Sequence, residues 1–286
     1  MNILVAGSKG QLGQEFQYIS KINTCHNFIF VDKEELNITS FFDLDNFFAL
    51  NKIDAIINCA AYTAVDKAEV EKDSALLINV LGPQNLAIIS KKYNAKLIHI
   101  STDYVFDGKN NMPYKESDIP NPKTVYGTTK LDGEYEVINN AEIFAIIRTS
   151  WLYSIYGNNF VKTITRLAKE KEYLNVIFDQ IGTPTYARDL VSVILYILSL
   201  LNKENSGIYH YSNEGVTSWY DFTKSICKLQ NISCKINPIE TKDYPTPAMR
   251  PNYSVLNKEK IKKTFNLTIP HWEESLEKYI EETKKI

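Results

Sequence analysis

Ile3-Leu4-Val5-Ala6-Gly7-Ser8-Lys9-Gly10-Gln11-Leu12-Gly13 is the stretch whose reading decides the fold. A β-favouring apolar run enters three glycines spaced G-x-x-G-x-x-G, and a helical pattern continues from Gln11 to Ile19. Gly7 permits a tight strand-to-helix turn, Gly10 lets a pyrophosphate approach the backbone, and Gly13 lets the helix lie close to the strand. The uncompensated N–H groups and positive dipole end of that helix would face the phosphates. Gly7, Gly10, Gln11, Leu12 and Gly13 are therefore candidate cofactor-binding residues.

The pattern repeats outward. Phe28–Val31, Ala55–Asn58, Lys96–Ser101 and Phe144–Arg148 are further short runs, apolar on both faces, as strands of a covered parallel sheet should be. Helical stretches separate them at Gln11–Ile19, Ser40–Leu50, Ser74–Tyr93 and Tyr126–Asn139. The alternation predicts an α/β, Rossmann-type doubly wound parallel sheet. Later strands are expected at Leu174–Phe178, Ile208–Tyr211 and Lys235–Asn237. Helices are expected near Asn158–Glu170, Arg188–Leu201, Ser218–Leu229, Lys258–Thr264 and Trp272–Lys284. Pro238–Pro251 holds four prolines and reads mainly as loop. The expected division is a dinucleotide-binding domain at 1–150 plus roughly 174–204, and a smaller, discontinuous C-terminal substrate-binding domain at 151–173 and 205–286.

Composition excludes several classes. The chain has 286 residues, 32 basic against 34 acidic, for a formal charge of −2. That balance lacks the basic excess of a nucleic-acid binder. No apolar run approaches the ~18 residues of a membrane span. No basic leader precedes Gly7, so a cytoplasmic protein is expected. Cys25, Cys59, Cys227 and Cys234 form no Cys-x-x-Cys pair and are expected to be buried thiols.

Asp32 ends the second strand about 20 residues past the glycines, where a carboxylate binds adenosine ribose hydroxyls and favours NAD. Lys33 follows it, and an ammonium there would attract the 2′-phosphate of NADP. Both signals stand, and the preference stays open at this point.

Tyr126 and Lys130 lie at i and i+4 of a helix and share a face. A phenol has pKa ~10, and a neighbouring ammonium lowers it into a useful range for acid–base work. Such a tyrosine can give a proton to a carbonyl oxygen as hydride reaches the carbon, while the lysine also holds the nicotinamide ribose. Thr102 follows the fourth strand, at the carboxyl edge where such sheets bind ligands, and can orient the same oxygen. Thr102, Tyr126 and Lys130 are the candidate catalytic set.

The glycine cradle, Thr102 and Tyr126/Lys130, in this order, resemble the extended short-chain dehydrogenase/reductases. Longer stretches narrow the resemblance: Gly10-Gln11-Leu12-Gly13, Asn58 to Glu69, Ser101 to Gly108, Arg148 to Tyr153, Gly182-Thr183-Pro184-Thr185 and Pro247 to Pro251. These are similar to the dTDP-4-dehydrorhamnose reductases. The resemblance implies NADPH- or NADH-dependent reduction of dTDP-4-dehydro-L-rhamnose to dTDP-L-rhamnose. By matching position it places Asp103, Tyr104, Trp151 and Arg250 in the sugar-nucleotide site, and Ala60, Ala61 and Tyr62 along the cofactor groove. Related dehydratases carry Asp-Glu after the threonine. Thr102-Asp103-Tyr104 has no Glu there, which favours simple carbonyl reduction.

Some members of the resembled family dimerise around magnesium held by acidic side chains, one of them matched by Glu15. Here Arg188 stands in the partner helix and would repel a cation, so magnesium is possible but no bound metal is expected. Monomer and homodimer both stay open. Two other functions remain: a non-catalytic nucleotide-binding regulatory subunit, like that of methionine adenosyltransferase, and a reductase of another nucleotide 4-keto sugar.

Overall fold

The structure is a computed structural model and describes residues 1–22 and 25–284. Its largest sheet is built from β1 (Asn2–Ala6), β2 (Asn27–Val31), β3 (Ala55–Asn58), β4 (Lys96–Thr102) and β5 (Phe144–Thr149), with one late strand, β10. That late strand is Gly207–His210, and smaller sheets use β6 (Leu152–Tyr153), β7 (Tyr173–Ile177), β8 (Ile181–Gly182), β9 (Thr185–Tyr186), β11 (Thr217–Ser218) and β12 (Lys235–Ile239). The helices are α1 (Gln11–Ser20), α2 (Phe41–Leu50), α3 (Val65–Ala68), α4 (Lys72–Leu76), α5 (Gly82–Lys92), α6 (Val125–Asn140), α7 (Phe160–Glu170), α8 (Ala187–Leu200), α9 (Trp219–Leu229), α10 (Glu259–Phe265) and α11 (Trp272–Thr283).

The large sheet has the order β10-β5-β4-β3-β1-β2, with every pair parallel. Its winding reverses at β1/β3, and the crevice at such a switch point is where ligands bind. Side-chain alternation covers both faces. Ile3, Val5, Ile57, Ile98 and Ile147 pack under α1, α8 and α10 with Phe16, Leu190, Ile194 and Phe265. Leu4, Ile56, Leu97 and Ile146 pack under α2, α5 and α6 with Leu44, Phe48, Leu86 and Val137. Two covered faces explain why these strands read as unbroken apolar runs.

A separate core forms the second lobe. Tyr153, Val161, Leu174, Tyr186, Phe222, Ile226, Trp272 and Leu276 are buried together there. Strand β7 pairs in parallel with β12, not with the large sheet. The strand expected within 174–204 of the cofactor unit thus lies in the other lobe. Conversely β10, expected in the second unit, completes the large sheet beside β5. A strand's partner is set by contacts distant in sequence, which its own residues do not encode.

Local surprises have local causes. The helix expected over 74–93 is broken into α4, a π-helical turn at Leu77–Leu81, and α5 with Pro83 in its first turn. Pro238 sits inside β12 opposite Val176, tolerated because a two-stranded ladder leaves each strand an open edge. Of the cysteines, Cys227 is buried, while Cys25 is exposed and Cys59 and Cys234 are intermediate.

Candidate active site

The glycine turn is as tight as its spacing implies. Gly7 adopts φ +76, and a Cβ on it would lie 2.5 Å from the Ala60 nitrogen. A Cβ on Gly13 would lie 2.3 Å from the Gly7 carbonyl oxygen. Helix α1 starts after Gly10 with no side chain capping its first turn. Those N–H groups are what a pyrophosphate requires. Leu12 is buried in the core, whereas the Gln11 carboxamide accepts from Asn159 of the second lobe at 3.1 Å.

At the adenosine end, Asp32 accepts backbone N–H bonds from Lys9 (3.0 Å) and Lys33 (2.8 Å). Lys9 pairs with Glu34 at 2.7 Å. Across the groove, Ala60 N–H donates to Asn58 Oδ1 and Tyr62 N–H donates to Asn79 Oδ1. The Tyr62 hydroxyl donates to Glu71 at 2.7 Å. Ala60 thus lies directly against Gly7 after β3, and Ala61 and Tyr62 follow it in the chain.

Thr102 ends β4, where its hydroxyl donates to Asp103 at 3.0 Å and accepts from the Tyr104 N–H at 3.2 Å. Helix α6 is capped by Thr124, which accepts from the Gly127 N–H at 3.0 Å. That cap presents Tyr126 towards Thr102. Tyr104 meets the Tyr126 ring edge-on, with centroids 5.5 Å apart. Burial pushes the Tyr126 phenol up to about 12, against the opposing pull of the neighbouring Thr102 hydroxyl. The expected lowering by Lys130 is not seen. Lys130 is fully buried one turn on, and its ammonium position faces the Ile100 carbonyl (2.7 Å) and His99 Nε2 (3.3 Å). Burial brings Lys130 down to about 8, opposed by Glu134 and Cys59.

A buried clamp holds α6 in place. Arg148 of β5 grips Glu134 at 2.9 and 2.6 Å, and Ser101 donates to the same carboxylate. Glu134 is one turn from Lys130, so β4, β5 and the catalytic candidates are tied into one unit.

The other predicted residues surround this centre. Burial raises the Asp103 carboxyl to about 6 despite the hydrogen bond from Thr102 and the nearby Ser254 hydroxyl. Trp151 is held at φ 48, a strained value for so bulky a residue, and stacks on Trp219 with centroids 3.4 Å apart. Gly182 lies against the same indole. Arg250 pairs through Nη2 with Asp66 at 2.6 Å, and its Nη1 is buried without a hydrogen-bond partner. The Ala248 N–H also donates to Asp66, fastening the Pro-rich loop to the start of α3. An open depression of about 490 Å3 lies elsewhere, beside β10 at Lys115, Ser117 and Lys260, and includes none of these residues.

Glu15 is fully buried and both its oxygens are engaged: Ser154 donates at 2.6 Å and Arg188 at 2.9 Å. Arg188 also reaches Glu282 of α11 and lies 4.0 Å from the Tyr18 ring centroid. Arg188 supplies the positive charge that Glu15 requires there.

Sequence reasoning did not single out Asn58, His99, Asp66 or Trp219 as site residues. For His99 a signal existed, since a polar residue inside a doubly covered strand must find a partner.

The chain matches the RmlD substrate binding domain family over residues 1–285. It is 41% identical to the dTDP-4-dehydrorhamnose reductase of Aggregatibacter actinomycetemcomitans, covering 96% of each chain. It is 42% identical to a dTDP-4-dehydrorhamnose reductase structure from Clostridium acetobutylicum, with a TM-score of 0.95 and 99% and 100% of the two chains covered. It is 39% identical to the Bacillus anthracis dTDP-4-dehydrorhamnose reductase solved in complex with NADP, with a TM-score of 0.94 and 98% and 99% covered. With that match along nearly its whole length, the chain belongs to the RmlD substrate binding domain family, that of the dTDP-4-dehydrorhamnose reductases.

Proposed function

We propose that this chain reduces the 4-keto group of dTDP-4-dehydro-L-rhamnose to give dTDP-L-rhamnose, using NADPH or NADH. One observation carries the reading: Tyr126 faces Thr102 at the end of β4, and Lys130 is buried one turn on beside Cys59, which lies against the Gly7 turn, in a chain 41% identical to a reductase of that name. Gly7, Gly10, Gly13 and the first turn of α1 would hold the pyrophosphate, with Gln11 and Leu12 setting that turn. Asp32 and Lys33 would meet the adenosine ribose, and Ala60, Ala61 and Tyr62 would flank the cofactor. When bound, the reduced nicotinamide supplies the hydride.

Tyr126 gives the proton to the carbonyl oxygen. A phenol pushed up to about 12 stays protonated at neutral pH, which suits a proton donor and favours the reductive direction. Thr102 donates to the same oxygen and holds it against the phenol. Lys130 binds the nicotinamide ribose. Asp103, Tyr104 and Trp151 orient the sugar, and the unpartnered Nη1 of Arg250 offers a donor to the diphosphate. The large-sheet unit serves the cofactor and the second lobe serves the sugar nucleotide. We place the enzyme in the cytoplasm, as a monomer or homodimer that binds no nucleic acid. Among the described residues no helix is long and apolar enough to cross a membrane.

The test is loss of reduced-nicotinamide absorbance on adding dTDP-4-dehydro-L-rhamnose, run beside other 4-keto nucleotide sugars and with each cofactor. Fastest turnover of the dehydrorhamnose nucleotide is expected. Tyr126→Phe should lose about 10²-fold or more in turnover while keeping cofactor affinity. Cofactor binding without turnover of any 4-keto sugar would return the regulatory-subunit reading. Light scattering on the purified protein settles monomer against dimer.

A further inference from the structure

We propose that Asn58 and His99 form a positioning pair that disfavours the charged form of Lys130. The catalytic consequence rests on the reductase reading above, but the arrangement itself stands apart from it.

The argument is one of donors and acceptors. Asn58 and His99 are register partners on the adjacent strands β3 and β4, and both are buried. The Ala60 N–H donates to Asn58 Oδ1 at 3.1 Å. That bond fixes which end of the amide faces the loop, so Asn58 Nδ2 is the atom 3.0 Å from His99 Nδ1. An amide NH2 only donates, so His99 Nδ1 accepts. The proton of a neutral imidazole is then on Nε2. His99 Nε2 lies 3.3 Å from Lys130 Nζ, which already donates to the Ile100 carbonyl at 2.7 Å. An ammonium has three donors and no acceptor, so it would meet the Nε2–H donor to donor. A neutral amine has one lone pair, which accepts that proton.

The surroundings agree. Facing Lys130 are His99 and the Ile100 carbonyl from β4, Cys59 after β3, and Tyr126 and Glu134 on its own helix. Glu134 is the carboxylate that would favour the ammonium, but Arg148 and Ser101 already occupy it. Burial acts in the same direction, lowering Lys130 to about 8 and holding His99 well below the ordinary histidine value.

Two measurements test the pair. The first is the long-range 1H–15N correlation spectrum of the histidine side chains, taken without cofactor; the chain has four histidines. The His99 ring should give the neutral Nε2–H pattern, and its signals should vanish in His99→Leu. In Asn58→Asp the carboxylate accepts from Nδ1, so the pattern should switch to Nδ1–H. A wild-type His99 that is Nδ1–H or charged overturns the proposal, whatever the activity. The second is the alkaline limb of the pH–rate profile at saturating cofactor. Both variants remove the donor that opposes the ammonium, so the limb should move up by about one pH unit or more. An unmoved limb, or one moved down, overturns the proposal even if turnover is reduced. Should His99→Leu not fold, the wild-type spectrum and Asn58→Asp still decide. Failure of the reductase reading would show as no turnover by wild type, and would leave the spectrum unaffected.

Discussion

His210 ties the acid stability of this protein to one buried ring. It ends β10 and is completely buried. Its Nδ1 donates to the Tyr114 carbonyl at 3.0 Å, and Nε2 faces Arg148 Nη1 at 3.5 Å. Both ring nitrogens are thus used by the neutral form, and a second proton would point at a guanidinium. Burial first, and then Arg148, lower the ring from 6.5 to about 3. A folded-state pKa below the unfolded one means that the unfolded chain takes the proton first. The stability that His210 contributes is therefore complete above pH 6.5 and is lost as pH falls from there towards about 3. The full gap corresponds to roughly 5 kcal/mol, of which about 2 kcal/mol is lost by pH 5.

His99 has the same sign, so a wild-type acid curve mixes the two rings. The clean perturbation is His210→Asn, whose amide can keep the donor to Tyr114 but cannot titrate. Urea unfolding of both proteins at pH ~7.5 and ~5 gives four stabilities. The variant should be weaker at the higher pH, and that deficit should shrink by about 2 kcal/mol at the lower one. A deficit equal at both pH values, or larger in acid, would refute the reasoning.

Arg188→Met should cost about 3–5 kcal/mol in unfolding free energy, because it leaves the buried Glu15 and the half-covered Glu282 without their shared cation. Calorimetry against wild type reads it directly. Gly13→Ala forces a Cβ to within 2.3 Å of the Gly7 carbonyl oxygen, a backbone atom that cannot step aside. It should lower stability by about 1–3 kcal/mol and weaken cofactor binding, as measured by fluorescence titration. Arg250→Ala removes both the Asp66 pair and the free Nη1, so KM for the nucleotide sugar should rise about tenfold or more while cofactor affinity holds. A raised KM for cofactor instead would move Arg250 out of the sugar-nucleotide site.

The large sheet was legible because its physics is local. Strands covered on both faces must be apolar throughout, and β1, β3 and β5 begin and end within a residue of where that composition changes. The turn at Gly7 is equally local, since a positive φ next to the Ala60 backbone tolerates only glycine. The pairing of β7 with β12 is different. Tyr173–Ile177 is a half-exposed strand whose partner lies some 60 residues onward, and nothing in its own composition selects that partner over β5. The π-helical turn at Leu77–Leu81 was hidden for a related reason. Its residues favour a helix of any pitch, and the wider turn places Asn79 between Tyr62 and Thr129.

Spacing on a helix says which side chains share a face and says little of their charge. Tyr126 and Lys130 fall on one face of α6, as i and i+4 require, but the expected softened phenol is not what the folded chain presents. Lys130 turns inward to a carbonyl and an imidazole, and Tyr126 keeps its proton. The decisive partner, His99, comes from the middle of an apolar strand on which periodicity analysis sees only another core position. A reduction needs a phenol that holds a proton until the carbonyl oxygen gains charge, and burial supplies that without help from a lysine cation. How readily the lysine carries charge is set instead by burial and by the tautomer of a histidine on β4.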